Sequence, residues 1–82
     1  MARTPREERV RKGNAAERLF NDPVIQEAFE KLENKYNGAW VSSGLEDSQK
    51  RETLYLSLRA LSEFKLELES MMNSGKIAQK ET

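Results

Sequence analysis

Apolar residues recur every three or four positions in two long stretches of the sequence, which is the spacing of one face of an α-helix. The first stretch runs from Ile25 to Trp40 and the second from Leu54 to Met72. Charged and amide side chains fill the positions between them, so each stretch predicts an amphipathic helix with one apolar stripe. No alternating β-branched run predicts a strand. The pattern therefore predicts an all-α fold.

Capping residues set the predicted ends of the two long helices. Asp22 suits an N-cap, and Pro23 suits the first helical position, where its missing N–H costs nothing. The first long helix is therefore predicted over residues 23–42. The second is predicted over residues 48–74, with Gly75 as the residue that ends it.

A short helix is predicted ahead of these two, over residues 15–20. Asn14 can cap it, and Glu17 stands three residues later, as in a capping box. Residues 14–75 then form one helical domain, and residues 76–82 form a polar tail.

Residues 1–13 are predicted to form a basic, flexible arm, because they are charged, almost lack apolar side chains and end in a glycine. The arm has a surplus of three positive charges, although the whole chain is neutral. Cations at this density can neutralise phosphates or dock on an acidic protein, and the alternative is a solvated tail that only aids solubility. The candidate contacts are Arg3, Arg6, Arg9, Arg11 and Lys12.

Two long amphipathic helices joined by a short connector predict an antiparallel two-helix hairpin, preceded by the short N-terminal helix. A hairpin has one apolar seam, and a chain of 82 residues has a thin margin of stability. Tyr55, Leu56 and Leu66 fall outside the main stripe. They are either scattered surface residues, which are normal, or a second contact face. We expect the second, and with it an oligomeric or partner-docked protein.

The chain contains neither histidine nor cysteine, and its four glycines form no phosphate-binding loop. These absences remove the commonest general base, metal ligand and nucleophile. We therefore predict no catalytic, cofactor-binding or metal-binding residues, no small-molecule substrate and no enzyme activity. No apolar run is long enough for a membrane span, so we expect a chain that is kept in a cytoplasm or carried inside a particle assembled there.

Much of the chain, from about residue 18 to residue 78, resembles a family of small uncharacterised proteins of tailed bacteriophages and prophages. The residues that carry the resemblance are Arg18-Leu19-Phe20-Asn21-Asp22-Pro23, Phe29, Tyr36, Trp40, Asp47, Arg51-Glu52-Thr53-Leu54-Tyr55 and Gly75-Lys76. Members of that family are often encoded near packaging and head genes. The resemblance implies a virion or assembly component and supplies no catalytic residues.

Three functional hypotheses follow from these features. The first is a non-enzymatic structural or assembly protein of phage type that acts through protein–protein association. The alternative is a small DNA-binding factor, similar to a packaging-initiation subunit, that uses the basic arm. A second alternative is an inhibitor of a host enzyme, in which the mildly acidic body mimics nucleic acid.

Overall fold

A computed structural model describes residues 3–81 of the chain. They form three α-helices, α1 (Pro5–Phe20), α2 (Pro23–Ser42) and α3 (Ser48–Lys80). No β-strand occurs within residues 3–81. The prediction of an all-α fold is therefore confirmed.

Helix α2 begins where the Asp22-Pro23 pair predicts. One carboxylate oxygen of Asp22 accepts hydrogen bonds from the backbone N–H of Val24, at 2.8 Å, and of Ile25, at 3.4 Å. These bonds satisfy two of the N–H groups that have no partner inside a helix. The helix spans the range 23–42 that its apolar stripe indicates.

The prediction of a flexible arm over residues 1–13 is wrong for the part that the structure describes. Helix α1 begins at Pro5, and residues 1 and 2 lie outside the described residues. Thr4 caps the helix, because its hydroxyl accepts from the N–H of Glu7 at 3.1 Å. The Glu7 side chain in turn accepts from the N–H of Thr4 at 3.4 Å, which completes a capping box.

The predicted short helix over residues 15–20 is in fact the last part of this 16-residue helix. Asn14 lies in the helix interior and does not cap it. Gly13 does not end a segment either, because it is buried against α3. Gly13 was expected to mark the end of a segment. In the structure its lack of a side chain allows α1 and α3 to approach closely.

The predicted end of the third helix at residue 74 is also wrong. Helix α3 passes through Gly75 without a left-handed residue and ends at Lys80, so most of the predicted tail 76–82 is helical. Ala78, which falls in that tail, is fully buried. At the other end, Asp47 occupies the N-cap position, but its side chain makes no capping hydrogen bond.

Helices α1 and α2 lie one after the other along α3, and each runs antiparallel to it. Arg6 at the start of α1 contacts Ala78 near the end of α3, whereas Gly13 contacts Gly75. Further along, the Arg51 guanidinium lies 4.4 Å from the ring centroid of Trp40. The molecule is a rod of 57 × 23 × 22 Å, close to the length of α3 itself.

The core of this rod is thin and lies where the three helices meet. Among the described residues, the buried apolar side chains there are Ala16, Phe29 and Leu68. The Phe29 ring packs against Phe64, with centroids 5.6 Å apart and planes tilted by 48°. Because each large apolar side chain contributes about 1.5–3 kcal/mol when fully buried, so small a set leaves a modest stability.

Candidate interaction surface

The face of α3 that points away from α1 and α2 carries large apolar side chains. Tyr55, Leu66 and Ile77 stand 11 residues apart on α3. Since 11 residues make slightly more than three whole turns of an α-helix, the three side chains form one row along the rod. Leu56 and Leu58 flank the row, and we call these five residues the outer face.

Four of the five side chains of the outer face are exposed. The exposed fraction is 51% for Tyr55, 59% for Leu66 and 56% for Ile77. Leu56 is exposed and Leu58 is partly buried. Single exposed apolar residues are normal on a protein surface, whereas several on one face can mark an interaction site. The three residues of the row stand about 16 Å apart along the helix axis, and polar side chains such as Arg59 and Ser70 lie between them.

Polar side chains fix the tyrosine at one end of the outer face. Arg59 Nη1 donates to the Tyr55 hydroxyl oxygen at 3.3 Å, and Arg59 Nε donates to Glu63 Oε1 at 3.1 Å. These bonds, first to Tyr55 and then to Glu63, raise the pKa of Arg59. Between Tyr55 and Leu66 the surface has a shallow, open depression, lined in part by Leu58.

The three residues predicted as a protein interface, Tyr55, Leu56 and Leu66, all lie on this face. Ile77 was missed because the helix was expected to end at Gly75, and its spacing of 11 residues from Leu66 was the available signal. Leu58 falls within the predicted stripe from Leu54 to Met72, but it lies at the border of the outer face.

Two of the five predicted contact residues of the basic segment hold α1 against α3. Arg6 Nε donates to the backbone oxygen of Ala78 at 2.8 Å. Arg9 donates to the hydroxyl of Ser74 at 3.1 Å and to its backbone oxygen at 3.3 Å, and it pairs with Glu81 at 3.2 Å. Cations near a helix C-terminus also interact favourably with the helix dipole.

The other three predicted contacts have more open surroundings. Arg11 Nε donates to a Glu8 carboxylate oxygen at 3.1 Å, and Arg3 lies 3.6 Å from the other carboxylate oxygen. The hydrogen bond from Arg11 lowers the pKa of Glu8, and the nearby positive charges lower it further. Lys12 is exposed on α1. The structure therefore does not gather the five cations into one free patch.

A surface notch near the junction of α1 and α2 is lined by residues of all three helices, and an ion pair of the same chain lies at it. Lys65 Nζ lies 3.1 Å from a carboxylate oxygen of Glu33 and 5.6 Å from the ring centroid of Phe29. Phe20 forms another wall of the notch. Because an internal cation already pairs with the carboxylate, the notch belongs to the packing of the three helices.

Residues 3–81 contain no group of three side chains that could hold a metal ion. None of the helices in that range combines the length and the apolar character that a membrane crossing requires. No protein-family model matches the chain, and neither a curated protein nor a solved structure matches it.

Proposed function

We propose that this protein is a non-enzymatic structural or assembly protein of phage type, built as a helical hairpin, that acts by associating with other protein chains. The observation that carries the proposal is the outer face of α3, on which the large apolar side chains of Tyr55, Leu56, Leu66 and Ile77 are exposed. The phage assignment rests on the resemblance of residues 18–78, and on the same ground we propose a location in the host cytoplasm or in the virion.

The energetics of the fold support association. The buried apolar side chains are few, whereas large apolar side chains remain in contact with water on the outer face. Covering these side chains removes apolar area from water, which is favourable by about 25 cal/mol per Å². A partner that binds only the folded chain also raises its stability by mass action.

The test is the mass and composition of the complex that the chain forms in the cells that naturally make it. A tagged chain is recovered from those cells and its complex is weighed by native mass spectrometry. We expect a defined assembly of two or more protein chains. A Leu66→Glu variant, which puts a charge in the middle of the outer face, is expected to lose that assembly.

The matched control is Leu45→Glu, because Leu45 is 91% exposed in the connector between α2 and α3 and lies off the outer face. This variant makes the same chemical change and should keep the assembly. Recovery of the unmodified chain as a single protein without any partner contradicts the proposed function.

The DNA-binding alternative has less support, because Arg6 and Arg9 direct their guanidinium groups to α3. It predicts binding to duplex DNA that weakens steeply with salt. Deletion of residues 1–12 is a poor test, since it removes half of α1. The double variant Arg3→Gln, Lys12→Gln is cleaner, because both side chains are exposed. DNA binding that persists unchanged in this variant contradicts a role for these cations.

The enzyme-inhibitor alternative requires a concentrated acidic surface. Several carboxylates of the described residues pair with cations of the same chain, as Glu27 does with Lys31 and Glu63 with Arg59. Pairing reduces the negative field that a nucleic-acid mimic needs. No observation favours this alternative over association through the outer face.

A further inference from the structure

We infer that residues 5–12 of α1 and residues 76–80 of α3 form one cooperative unit, which orders and opens as a whole while the core stays folded. We call these two segments the terminal unit. The inference goes beyond the proposed function and does not rest on it. Its starting point is the contact between Gly13 and Gly75, because both segments lie on one side of that contact, whereas Ala16 and Leu68 lie on the other.

The end of α3 depends on α1. Only residues 76–80 follow Gly75 in the helix, and a glycine in a helix interior lowers helical stability. Ala78, within this end, is fully buried where α1 packs on it. Arg6 of α1 donates from Nε to the backbone oxygen of Ala78 at 2.8 Å and from Nη2 to that of Gln79 at 3.4 Å. Both oxygens belong to the last four carbonyl groups of α3, which have no partner inside the helix. Helix α1 therefore both covers and caps the end of α3.

The first half of α1 depends on α3 in turn. None of the residues from Pro5 to Lys12 is buried, and Gly13 follows them inside the helix. A helical segment as short as this is marginal in water by itself, because most helical stability in proteins comes from packing. Arg9 supplies the contact, since it donates to the hydroxyl and the backbone oxygen of Ser74 and pairs with Glu81. Each segment therefore stabilises the other, and the loss of either removes the partner of the one that remains.

The opening stays local because the terminal unit has little apolar contact. Ala78 is its one buried side chain, whereas Phe29 and Leu68 of the core lie beyond the two glycines. The unit can therefore open without bringing either of these large side chains into water. Segments with few buried apolar contacts open at a smaller cost in free energy than the whole domain does.

The closed and open forms of the terminal unit present different surfaces. In the closed form Ile77 is held in the helix at one end of the outer face, and Arg6 and Arg9 are bound to α3. In the open form the helical turn that carries Ile77 is lost, and both guanidinium groups are released. One equilibrium thus sets the length of the outer face and the number of free cations at this end of the rod.

Two matched substitutions test the coupling, Lys12→Gly in α1 and Lys76→Gly in α3. Each lysine stands next to one of the contacting glycines in the sequence, and each is exposed. Each substitution therefore acts on its own helix, through the lower helix propensity of glycine. An effect on the other helix then reports the coupling between the two segments.

The measurement is amide hydrogen exchange of the full chain by NMR, read at residues 8–12 and 76–80, which lie inside the two helices. In the unmodified chain both segments should be less protected than the residues around Phe29 and Leu68. Lys76→Gly should accelerate exchange about threefold to fivefold in both segments, although it changes only α3. Lys12→Gly should have the same effect on both segments, although it changes only α1.

Lys35→Gly is the matched control, because Lys35 is exposed on α2, outside the terminal unit. It should leave exchange at residues 8–12 and 76–80 unchanged, since α2 is folded in both the closed and the open form. It should accelerate only the slowest amides of the chain, which exchange through global unfolding. Acceleration of both terminal segments by Lys35→Gly shows that they open only with the whole chain, and it overturns the inference.

Independent fraying of the two segments gives a different pattern. Lys76→Gly then accelerates exchange at residues 76–80 alone, and Lys12→Gly at residues 8–12 alone. Either result overturns the inference, as does equal protection of the terminal unit and of the residues around Phe29 and Leu68. The proposed function is decided separately, by the mass and composition of the complex from cells.

Discussion

Gly13 of α1 and Gly75 of α3 touch through their backbones. A Cβ atom added to Gly13 would lie 2.7 Å from the Gly75 Cα and 2.9 Å from the backbone oxygen of Met71. The reverse addition, on Gly75, would lie 2.8 Å from the Gly13 Cα. Both contacts involve backbone atoms, which cannot move aside as a flexible side chain can. The pair of glycines therefore sets the distance at which α1 packs on α3.

Substitution of either glycine by alanine is expected to destabilise the protein. At an exposed position in the middle of a helix, Gly→Ala raises the free energy of unfolding by up to about 1 kcal/mol. At Gly13 the clash should reverse the sign and lower the free energy of unfolding by about 1–3 kcal/mol. Urea denaturation followed by circular dichroism measures the change.

Gly38→Ala is the matched control for this prediction. Gly38 lies inside α2, and an added Cβ would meet nothing within 4 Å. The same substitution should therefore raise the free energy of unfolding by up to about 1 kcal/mol. Equal effects of Gly13→Ala and Gly38→Ala would contradict the close contact of α1 with α3.

Arg9→Gln is expected to loosen α1 from α3, because Arg9 bonds to both the hydroxyl and the backbone oxygen of Ser74 and pairs with Glu81. The loss should cost roughly 1–3 kcal/mol of unfolding free energy. Amide hydrogen exchange within α1 should accelerate. Lys12→Gln removes the same charge from an exposed position and should change stability by less than about 0.5 kcal/mol.

The pKa of Glu8 is expected to lie below the ordinary glutamate value of about 4.3, because Arg11 donates a hydrogen bond to its carboxylate. When a carboxyl group has a lower pKa in the folded state than in the unfolded state, it stabilises the folded state at pH values above the unfolded pKa. The stabilisation is lost as the pH falls through the folded value. The contribution of Glu8 should therefore begin to fall as the pH drops below about 4.3 and should be gone only below the lower pKa of the folded state.

A carbon-13 NMR titration of the Glu8 carboxyl measures this pKa directly. Arg11→Gln removes the hydrogen-bond donor and should move the titration midpoint of Glu8 upwards. Arg3 remains 3.6 Å away in that variant, so part of the shift should persist. A midpoint that does not respond to Arg11→Gln would show that the hydrogen bond is absent in solution.

Asp22 and Asp47 occupy the same position at the start of two helices but differ in their bonds. Asp22 accepts from two backbone N–H groups, whereas the Asp47 side chain accepts from none. Asp22→Ala should lower the free energy of unfolding by about 1 kcal/mol. Asp47→Ala should cost less, since it loses only the interaction of the charge with the helix dipole. Thermal unfolding of the two variants provides the comparison.

The local pattern of the sequence was sufficient for the helices whose ends carry their own capping residues. The stripe from Ile25 to Trp40 and the Asp22-Pro23 pair define α2, because both signals act within a few residues. The Thr4–Glu7 capping box was also present in the sequence, but the high charge of the segment favoured a basic, flexible arm.

What only the tertiary structure decided is the role of residues whose partners are far away along the chain. Gly13 and Gly75 look like helix ends in the sequence, and only the approach of α1 to α3 shows that they are contact points. Arg6 and Arg9 look like free cations, until the end of α3 supplies the carbonyl groups that they bind.

The outer face also depends on contacts between residues that are distant in the sequence. The sequence placed Tyr55, Leu56 and Leu66 outside the main stripe, but it ended the helix before Ile77. The extension of α3 to Lys80 brings Ile77 into the row, because α1 packs over Ala78 and buries it. Apolar periodicity thus determined which segments become helices, whereas the packing of α1 on α3 determined how far the last helix extends and which apolar side chains stay exposed.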